Sequence, residues 1–551
     1  MIKVTDSHSH VLLMSSQTLR HSIDQLSVSS RFVEELSADP LTSNEPRQVY
    51  SSHFSLVEPR QFRQPEMVSY FPEVAQLIGL SEKACQSDEF VRLFSGQSLL
   101  PGMRPHAHCY GGHQFGSWAG QLGDGRAINL GEVRGAQGVP WQLQLKGAGP
   151  TPYSRSADGY AVLRSSLREY LCSEAMHNLG VPTTRALSLI LTGEQVVRDI
   201  LYDGHPRPEP GAVVCRVAPS FLRLGHFEIF TARDDTLSLR QLADYSIRHH
   251  FPDLGTPGPE AYSALFETVC RRTAELMVEW QRVGFVHGVM NTDNLSLLGM
   301  TIDYGPYGWM EAYDPDWTPN TTDAGSRRYA YGNQPGVALW NLVRFAESLL
   351  PLVGEAAPLE QALQDYQRSY IQKEQQMKGR KLGLESVDPQ SDAQLIGQLE
   401  ELMQDCRADM TLFFRSLSGI RACSRPQEQD RLEAFNLVAN SLYDSEQLKP
   451  ATREALTDWL GRYQQRLSQQ ARSDQARAGK MNRVNPVYVL RNALVQLAIE
   501  DAERGEYQKI YELQRMLKSP YEERSEFAHL AQKSPEWAKE KIGCSMLSCS
   551  S

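Results

Sequence analysis

The residues best equipped for chemistry lie in one stretch, Phe285-Val286-His287-Gly288-Val289-Met290-Asn291-Thr292-Asp293-Asn294, followed after Leu295 to Leu298 by Thr301-Ile302-Asp303-Tyr304-Gly305. Asn294 and Asp303 offer hard oxygen donors of the kind that hold Mg2+ against phosphates. Asp293 is the one carboxylate of the loop and can act as a proton acceptor; its competing reading is a turn residue that caps Asn294. Upstream, Gly123 and Gly125 in Leu122-Gly123-Asp124-Gly125-Arg126 let backbone N–H groups approach phosphate oxygens, and Arg126 adds a fork of donors. The same tripeptide also suits an ordinary hairpin turn. Lys146 is a phosphate-binding candidate, and Glu169 is an acid that can reach back to hold it. Arg216 and Arg223 enlarge the cationic set. Arg forks suit terminal phosphates, and burying those would present the α-phosphorus to an acceptor, so that AMP moves and pyrophosphate leaves. Ordinary salt bridges on a sheet edge are the alternative for these two arginines.

The elements that must position these residues are partly legible. Gln142-Leu143-Gln144-Leu145-Lys146 alternates polar and apolar, which predicts a half-buried strand with Lys146 on the face of Gln142 and Gln144. A second strand pair is expected from Gln195 to Tyr202 and from Ala212 to Val217, joined by a loop over residues 203–211 whose three prolines oppose a helix. Between the strands, Leu163, Leu167, Tyr170, Leu171 and Leu179 recur at helical spacing and place Glu169 on a helix closed by Gly180 and Pro182. Leu265, Phe266, Val269, Leu276, Met277 and Trp280 form a second helical stripe that ends at Gly284 and feeds the loop of Asp293. Beyond Gln334 the chain reads as helical, with segments near 358–377, 393–417, 431–442, 452–467 and 487–517.

A strand lysine, a helix glutamate, an H-G-x-x-x-x-x-N loop and a following Asp turn form the layout of a kinase-like nucleotide site. The usual loop aspartate is replaced by Val289, which points to a silent fold or to altered chemistry with Asp293 as the substitute base. At these residues the sequence resembles the selenoprotein O family, the protein adenylyltransferase pseudokinases. The match rests on Gly111-Gly112-His113-Gln114-Phe115-Gly116, Leu122-Gly123-Asp124-Gly125-Arg126, Leu145-Lys146-Gly147, Asn291-Thr292-Asp293-Asn294 and Thr301-Ile302-Asp303-Tyr304-Gly305, with Pro46-Arg47-Gln48-Val49 near the start and Asn333-Gln334-Pro335 later.

The resemblance implies an α+β, bilobal protein-kinase-like fold with an enlarged, mostly helical C-terminal lobe. Its parts would be an extension over residues 1–28, an N-lobe over 29–235, a C-lobe over 236–525 and a cysteine-bearing tail over 526–551. It implies ATP bound in an orientation flipped relative to kinases and AMP transferred to Ser, Thr or Tyr hydroxyls of proteins. By motif, Gly123, Gly125, Arg126, Lys146, Asp158, Gly159, Glu169, Arg216, Arg223 and Asp303 would serve the nucleotide, the Asp158-Gly159 pair at the start of the Glu169 helix. Asp293 would accept the proton, and Asn294 and Asp303 would bind Mg2+, with Mn2+ as the alternative ion. Family members commonly carry a redox-active Cys or selenocysteine in the tail, in some paired with a Cys after the metal-binding turn. Here the tail has Cys544 and Cys549, but Pro319-Asn320-Thr321-Thr322 occupies the loop and no Cys lies between Asp303 and Gln334. Cys544 and Cys549 could pair or sense oxidants; two free surface thiols are the simpler expectation.

Composition narrows the classes. The 551 residues carry a formal net charge of −10, which disfavours a protein that grips nucleic acid. No apolar run approaches a membrane span. Nine scattered cysteines without a C-x-x-C pair fit a reducing compartment, and the cytoplasm is the default. Expected partners are ATP and hydroxyl-bearing proteins, with no nucleic acid and no membrane, the chain itself being a monomer. His106-Ala107-His108-Cys109 with His113 lacks the spacing of a recognised zinc site and reads as packing and turn residues. A kinase moving the γ-phosphoryl group and a catalytically silent scaffold are the rival functions.

Overall fold

The computed structural model describes residues 22–548 apart from 136, 201–203, 389, 540, 542 and 545. Most of the expected extension, and Cys549, lie outside the described residues. The first half of the chain supplies β1 (Val28–Ser29), β2 (Phe54–Leu56), β3 (Glu66–Tyr70), β4 (His106–His108), β5 (Gly111–Gln114), β6 (Ser117–Gln121), β7 (Ala127–Arg134), β8 (Pro140–Lys146), β9 (Arg185–Arg198) and β10 (Arg207–Ala218). Eight of them form an antiparallel sheet in the order β2-β4-β7-β8-β10-β9-β3, with β1 also paired to β7, while β5 and β6 make a separate hairpin.

β8 has the expected alternation, but both its faces are buried. Leu143 and Leu145 enter the apolar core; Gln142 and Gln144 are buried as well. The polar face survives burial because it is hydrogen-bonded: Gln142 Oε1 accepts from Phe221 N at 3.0 Å, and Gln144 Nε2 donates to Asn129 Oδ1 at 3.0 Å. Gln142 and Gln144 thus face the protein interior and Lys146 faces a cleft, not open solvent. The first strand of the second pair is shifted against its expected place: β9 starts at Arg185 rather than Gln195 and ends at Arg198, while Leu201 and Tyr202 lie outside the described residues. β10 begins at Arg207, inside the expected loop, with Pro208 opposite Val197, Pro210 opposite Gln195 and a bulge between Pro210 and Ala212. Prolines are tolerated there because β8 pairs with β10 only from Val214 to Ala218, so this part of β10 gives up no ladder bond on that side.

The helix Leu163–Asn178 crosses the sheet and ends where Gly180 adopts φ +79°. The helix Pro259–Val283 starts with Pro at its first turn and stops at Gly284 in the left-handed region, as its stripe predicts. Gly284 turns the chain directly into β11 (Phe285–Val286), which pairs with β12 (Gly308–Trp309) and brackets the Asp293 loop. Trp280 from this helix stacks on His287 at 5.4 Å and donates to Thr301 Oγ1 at 2.8 Å, tying the loop and the Asp303 turn to one buried side chain.

The remaining helices include Gln334–Val353, Ala357–Lys381, Ala393–Asp405, Met410–Ser416, Glu428–Ala439, Pro450–Ser468, Asn492–Ala502 and Gln508–Leu517. Two expected helices are broken. Arg407 turns at φ +48° ahead of the Asp409 cap, and Gly505 turns at φ +81°. One apolar cluster joins the sheet to the first helices, and a second lies under the C-terminal ones around Trp459 and Tyr463. The segment Tyr331–Val353 is long and apolar enough to cross a membrane, but over half of its most apolar window is buried inside the fold. At the tail, Thr321 N donates to Leu547 O at 2.7 Å, so residues near the C-terminus reach the loop without a disulfide. Cys544 is buried rather than a surface thiol, and burial pushes it up to about 11.

Candidate active site

A cleft of about 710 Å3 opens between the sheet and the loop segments 289–306. That volume suits a small-molecule ligand the size of a nucleotide. Gly123, Gly125, Arg126, Lys146, Asp158, Gly159, Arg216, Arg223, Asp293, Asn294 and Asp303 all line it. Glu169 does not; it stands behind Lys146 on the Leu163–Asn178 helix. Asp158 and Gly159 precede that helix rather than starting it, and Asp158 is held by both terminal nitrogens of Arg198 at 2.7 and 2.8 Å. Gly159 is obligatory where it stands: φ is +78° and a Cβ would lie 2.3 Å from Pro150. Gly123 is similar, at φ +97° with a Cβ 2.4 Å from the Tyr153 ring.

The floor of the cleft is an ion network. Lys146 Nζ lies 2.5 Å from Glu169 Oε2, and Arg216 Nη1 lies 3.0 Å from Glu169 Oε1. Arg216 Nη1 also meets Asp303 Oδ1 at 2.6 Å, while its other terminal nitrogen donates to Gln144 Oε1. Arg223 grips Asp303 Oδ2, donates to Asp293 O at 2.9 Å and lies over the Tyr110 ring. Burial opposes the Glu169 charge, yet Lys146 and Arg216 outweigh it and bring the carboxyl down to about 2. Burial also dominates at Lys146: Glu169 pulls it up, Arg216 and Arg126 push it down, and it stands at about 7. Lys146, Arg216 and Arg223 are met here by Glu169, Asp303 and Asp124, so phosphate oxygens would bind these cations by taking the place of an acid.

Asp293 sits in a 3-10 turn, Thr292–Asn294, beneath the β5–β6 hairpin. Burial pushes its carboxyl up to about 6, against the pull of Arg223. A carboxylate in that range is a better proton acceptor than an ordinary aspartate. Gln114 Nε2 reaches Asp293 Oδ2 at 3.3 Å, and Asp293 Oδ1 is buried with no partner among the described residues. Val289, in the place of the usual loop aspartate, lines the cleft without a charge. His287 serves the structure: buried, it contacts Ile302 O at 2.8 Å.

Asn294 Nδ2 donates to Val289 O at 2.9 Å, which leaves Oδ1 as the atom for a cation. Asp303, at φ +61°, is the other candidate ligand. Among the described residues no cluster of three or more His, Cys, Asp or Glu could hold a metal by itself. One amide and one carboxylate nonetheless fit Mg2+, which keeps several waters and takes its remaining oxygens from bound phosphates. The condition is that Arg216 and Arg223 release Asp303.

Several functional contacts were not foreseen. Asp124 is buried: its Oδ2 accepts from His108 N at 3.1 Å and Asn129 Nδ2 at 3.1 Å, and its Oδ1 lies 3.7 Å from Arg223. The sequence shows only an acid between two turn glycines and carries no sign that it is buried. Gln144, Tyr110 and Gln114 touch the network by contacts that no local spacing announces. His106 and His108 pack on Phe32, as a packing role requires.

Residues 42–518 match the family described as protein adenylyltransferase SelO. The chain belongs to the SelO family. It is similar to a protein nucleotidyltransferase YdiU of Rhodopirellula baltica, 51% identical over 536 residues that cover 96% of this chain and 99% of the relative. The YdiU protein of Aromatoleum aromaticum is 51% identical over 532 residues, covering 96% and 99%, and that of Flavobacterium johnsoniae 49% over 526 residues, also 96% and 99%. A SelO-family chain that aligns from end to end with nucleotidyltransferases is itself an enzyme of the nucleotidyltransferase class, with ATP as its nucleotide and protein as its acceptor. Its architecture is a mixed α and β fold around an antiparallel sheet.

Proposed function

We propose that this SelO-family chain transfers AMP from ATP to a Ser, Thr or Tyr hydroxyl of a protein, within a bilobal kinase-like frame whose lobes span residues 29–235 and 236–525. The observation that carries the reading is the position of Arg216 and Arg223. Both approach Asp303 at the floor of the cleft, beside Lys146. Three deep cations favour the densest negative charge of the nucleotide, its β- and γ-phosphates, at the floor. The α-phosphate then lies nearest the loop of Asp293.

In this reading the acceptor hydroxyl attacks the α-phosphorus, the bond from that phosphorus to the bridging oxygen of the β-phosphate breaks, and pyrophosphate leaves. Asp293 takes the hydroxyl proton. Arg216 and Arg223 exchange Asp303 for phosphate oxygens, a trade of one anionic partner for another that needs only side-chain movement. Gly123, Gly125 and Arg126 close over the phosphates, Glu169 keeps Lys146 aimed at them, and Asp158 with Gly159 forms the outer wall. Asn294 and Asp303 would hold Mg2+, which would neutralise phosphate charge there. Regulation by a tail-to-loop disulfide does not enter, because the loop at Asn320 and Thr321 has no thiol.

ATP labelled at the α or the γ position tests the reading. Label on the acceptor from α alone is expected. Label from γ alone makes the enzyme a kinase, and label from neither, with nucleotide still bound, makes it the silent scaffold that Val289 would suit. Asp303→Ala should abolish transfer.

A further inference from the structure

The β5–β6 hairpin is fastened to the loop of Asp293 rather than to the main sheet. His113 N donates to Thr292 Oγ1 at 2.7 Å, and Phe115 N donates to Asn291 Oδ1 at 3.2 Å. His113 Nδ1 lies 2.5 Å from Glu228 Oε2, which anchors the hairpin from its other side. Between these ties, Gln114 turns into the cleft and its amide meets Asp293 Oδ2. Gly112 lies flat against the same carboxylate: a Cβ there would stand 2.7 Å from Asp293 Oδ1 and 3.0 Å from its Cβ. Opposite, a Cβ at Gly225 would stand 2.1 Å from Gly111 O, so the hairpin base is pressed onto the elements that carry Arg223 and Asp293.

We propose that Gln114 is the positioning residue of the proton acceptor: its amide, delivered by the hairpin between the ties at His113 and Phe115, fixes Asp293 Oδ2, while Oδ1 is buried in the space that Gly112 leaves by having no Cβ. With Oδ1 buried, Oδ2 is the oxygen left for the acceptor hydroxyl. A carboxylate on a short side chain has two soft torsions, and one donor to one oxygen is enough to set the plane of the group. The inference rests on Asp293 acting as the proton acceptor, and it adds the group that aims it.

The test is a mutant cycle on the full-length enzyme, with Gln114→Met and Asp293→Ala made singly and together. Methionine keeps the length of the side chain and removes the N–H. Initial rates are measured at saturating ATP and acceptor, ATP dissociation constants by calorimetry, and melting temperatures as a check on folding. Gln114→Met is expected to lower kcat about 10- to 100-fold with ATP affinity within about twofold of the parent, since a misaimed base costs rate rather than nucleotide binding. On the Asp293→Ala background the same substitution should change kcat by less than about twofold, because the group it aims is gone. Gly112→Ala should lower kcat at least as much, by pushing the carboxylate aside. Effects of Gln114→Met that multiply with those of Asp293→Ala, or an unchanged kcat in a folded Gln114→Met enzyme, overturn the proposal. An active Asp293→Ala enzyme refutes the proton-acceptor reading itself, a separate result.

Discussion

Binding of ATP should be accompanied by proton uptake at Lys146. Burial and the neighbouring guanidiniums hold this amine at about 7 in the ligand-free protein. A triphosphate brings several negative charges beside it, so the bound amine keeps its proton to a much higher pH. From about pH 7.5 to about pH 9 the terminal phosphate is already ionised, while the charged fraction of Lys146 in the free protein falls about 25-fold. Each ATP bound must then recover a proton from solution, at a cost over that interval of about 1.9 kcal/mol of affinity. Calorimetry in buffers of contrasting ionisation enthalpy should show uptake of about 0.8 proton per ATP at about pH 7.5. Lys146→Arg supplies the comparison: a guanidinium does not titrate there, so its affinity should be nearly flat over the same interval. No proton uptake by the parent enzyme, or an equal pH slope in Lys146→Arg, would refute the assignment of a lowered amine to this cleft.

Other outcomes follow from the same network. Glu169 has a folded value near 2 against an ordinary 4.5, so its stabilisation is complete above about pH 4.5 and is lost as pH falls toward about 2. That component is about 3 kcal/mol, and urea midpoints measured across the window should lose it in Glu169→Gln. Asp124→Asn can keep an oxygen for the donors at Oδ2 but turns its N–H2 toward Arg223 and removes the buried charge, and should cost about 2–4 kcal/mol in urea unfolding; a cost below about 1 kcal/mol would mean that the charge carries little. Asp293→Ala should slow AMP transfer by about 10²- to 10⁴-fold and leave ATP affinity within a few-fold.

The parts of the site that sequence reveals are those whose chemistry is contained in a few consecutive residues. The alternation around Lys146 fixed which face the amine shares with Gln144, and Gly284 marked where the feeding helix must stop. Asn294 and Asp303 sit in short motifs whose residue types already suggest a cation. Gln114 and Asp293 are another matter: 179 residues separate them, and only the folded hairpin brings the amide to the carboxylate. Asp124 is hidden for a related reason, since a G-D-G turn looks the same whether its acid faces water or accepts three buried donors. The polar face of β8 read as solvent-exposed because glutamines alternate with leucines in both situations. The early start of β10 escaped notice because Pro208 and Pro210 oppose a strand except where one side goes unpaired.

Asp303 occupies the guanidiniums of both Arg216 and Arg223, and so works as a built-in plug for the anion hole. Its removal therefore does more than take away a ligand for a cation. An Asp303→Ala enzyme should become a sponge for inorganic phosphate and sulfate, its thermal stability rising with either salt more steeply than the parent's. Anyone using that variant as a dead enzyme to trap nucleotide would find simple oxyanions competing for the berth.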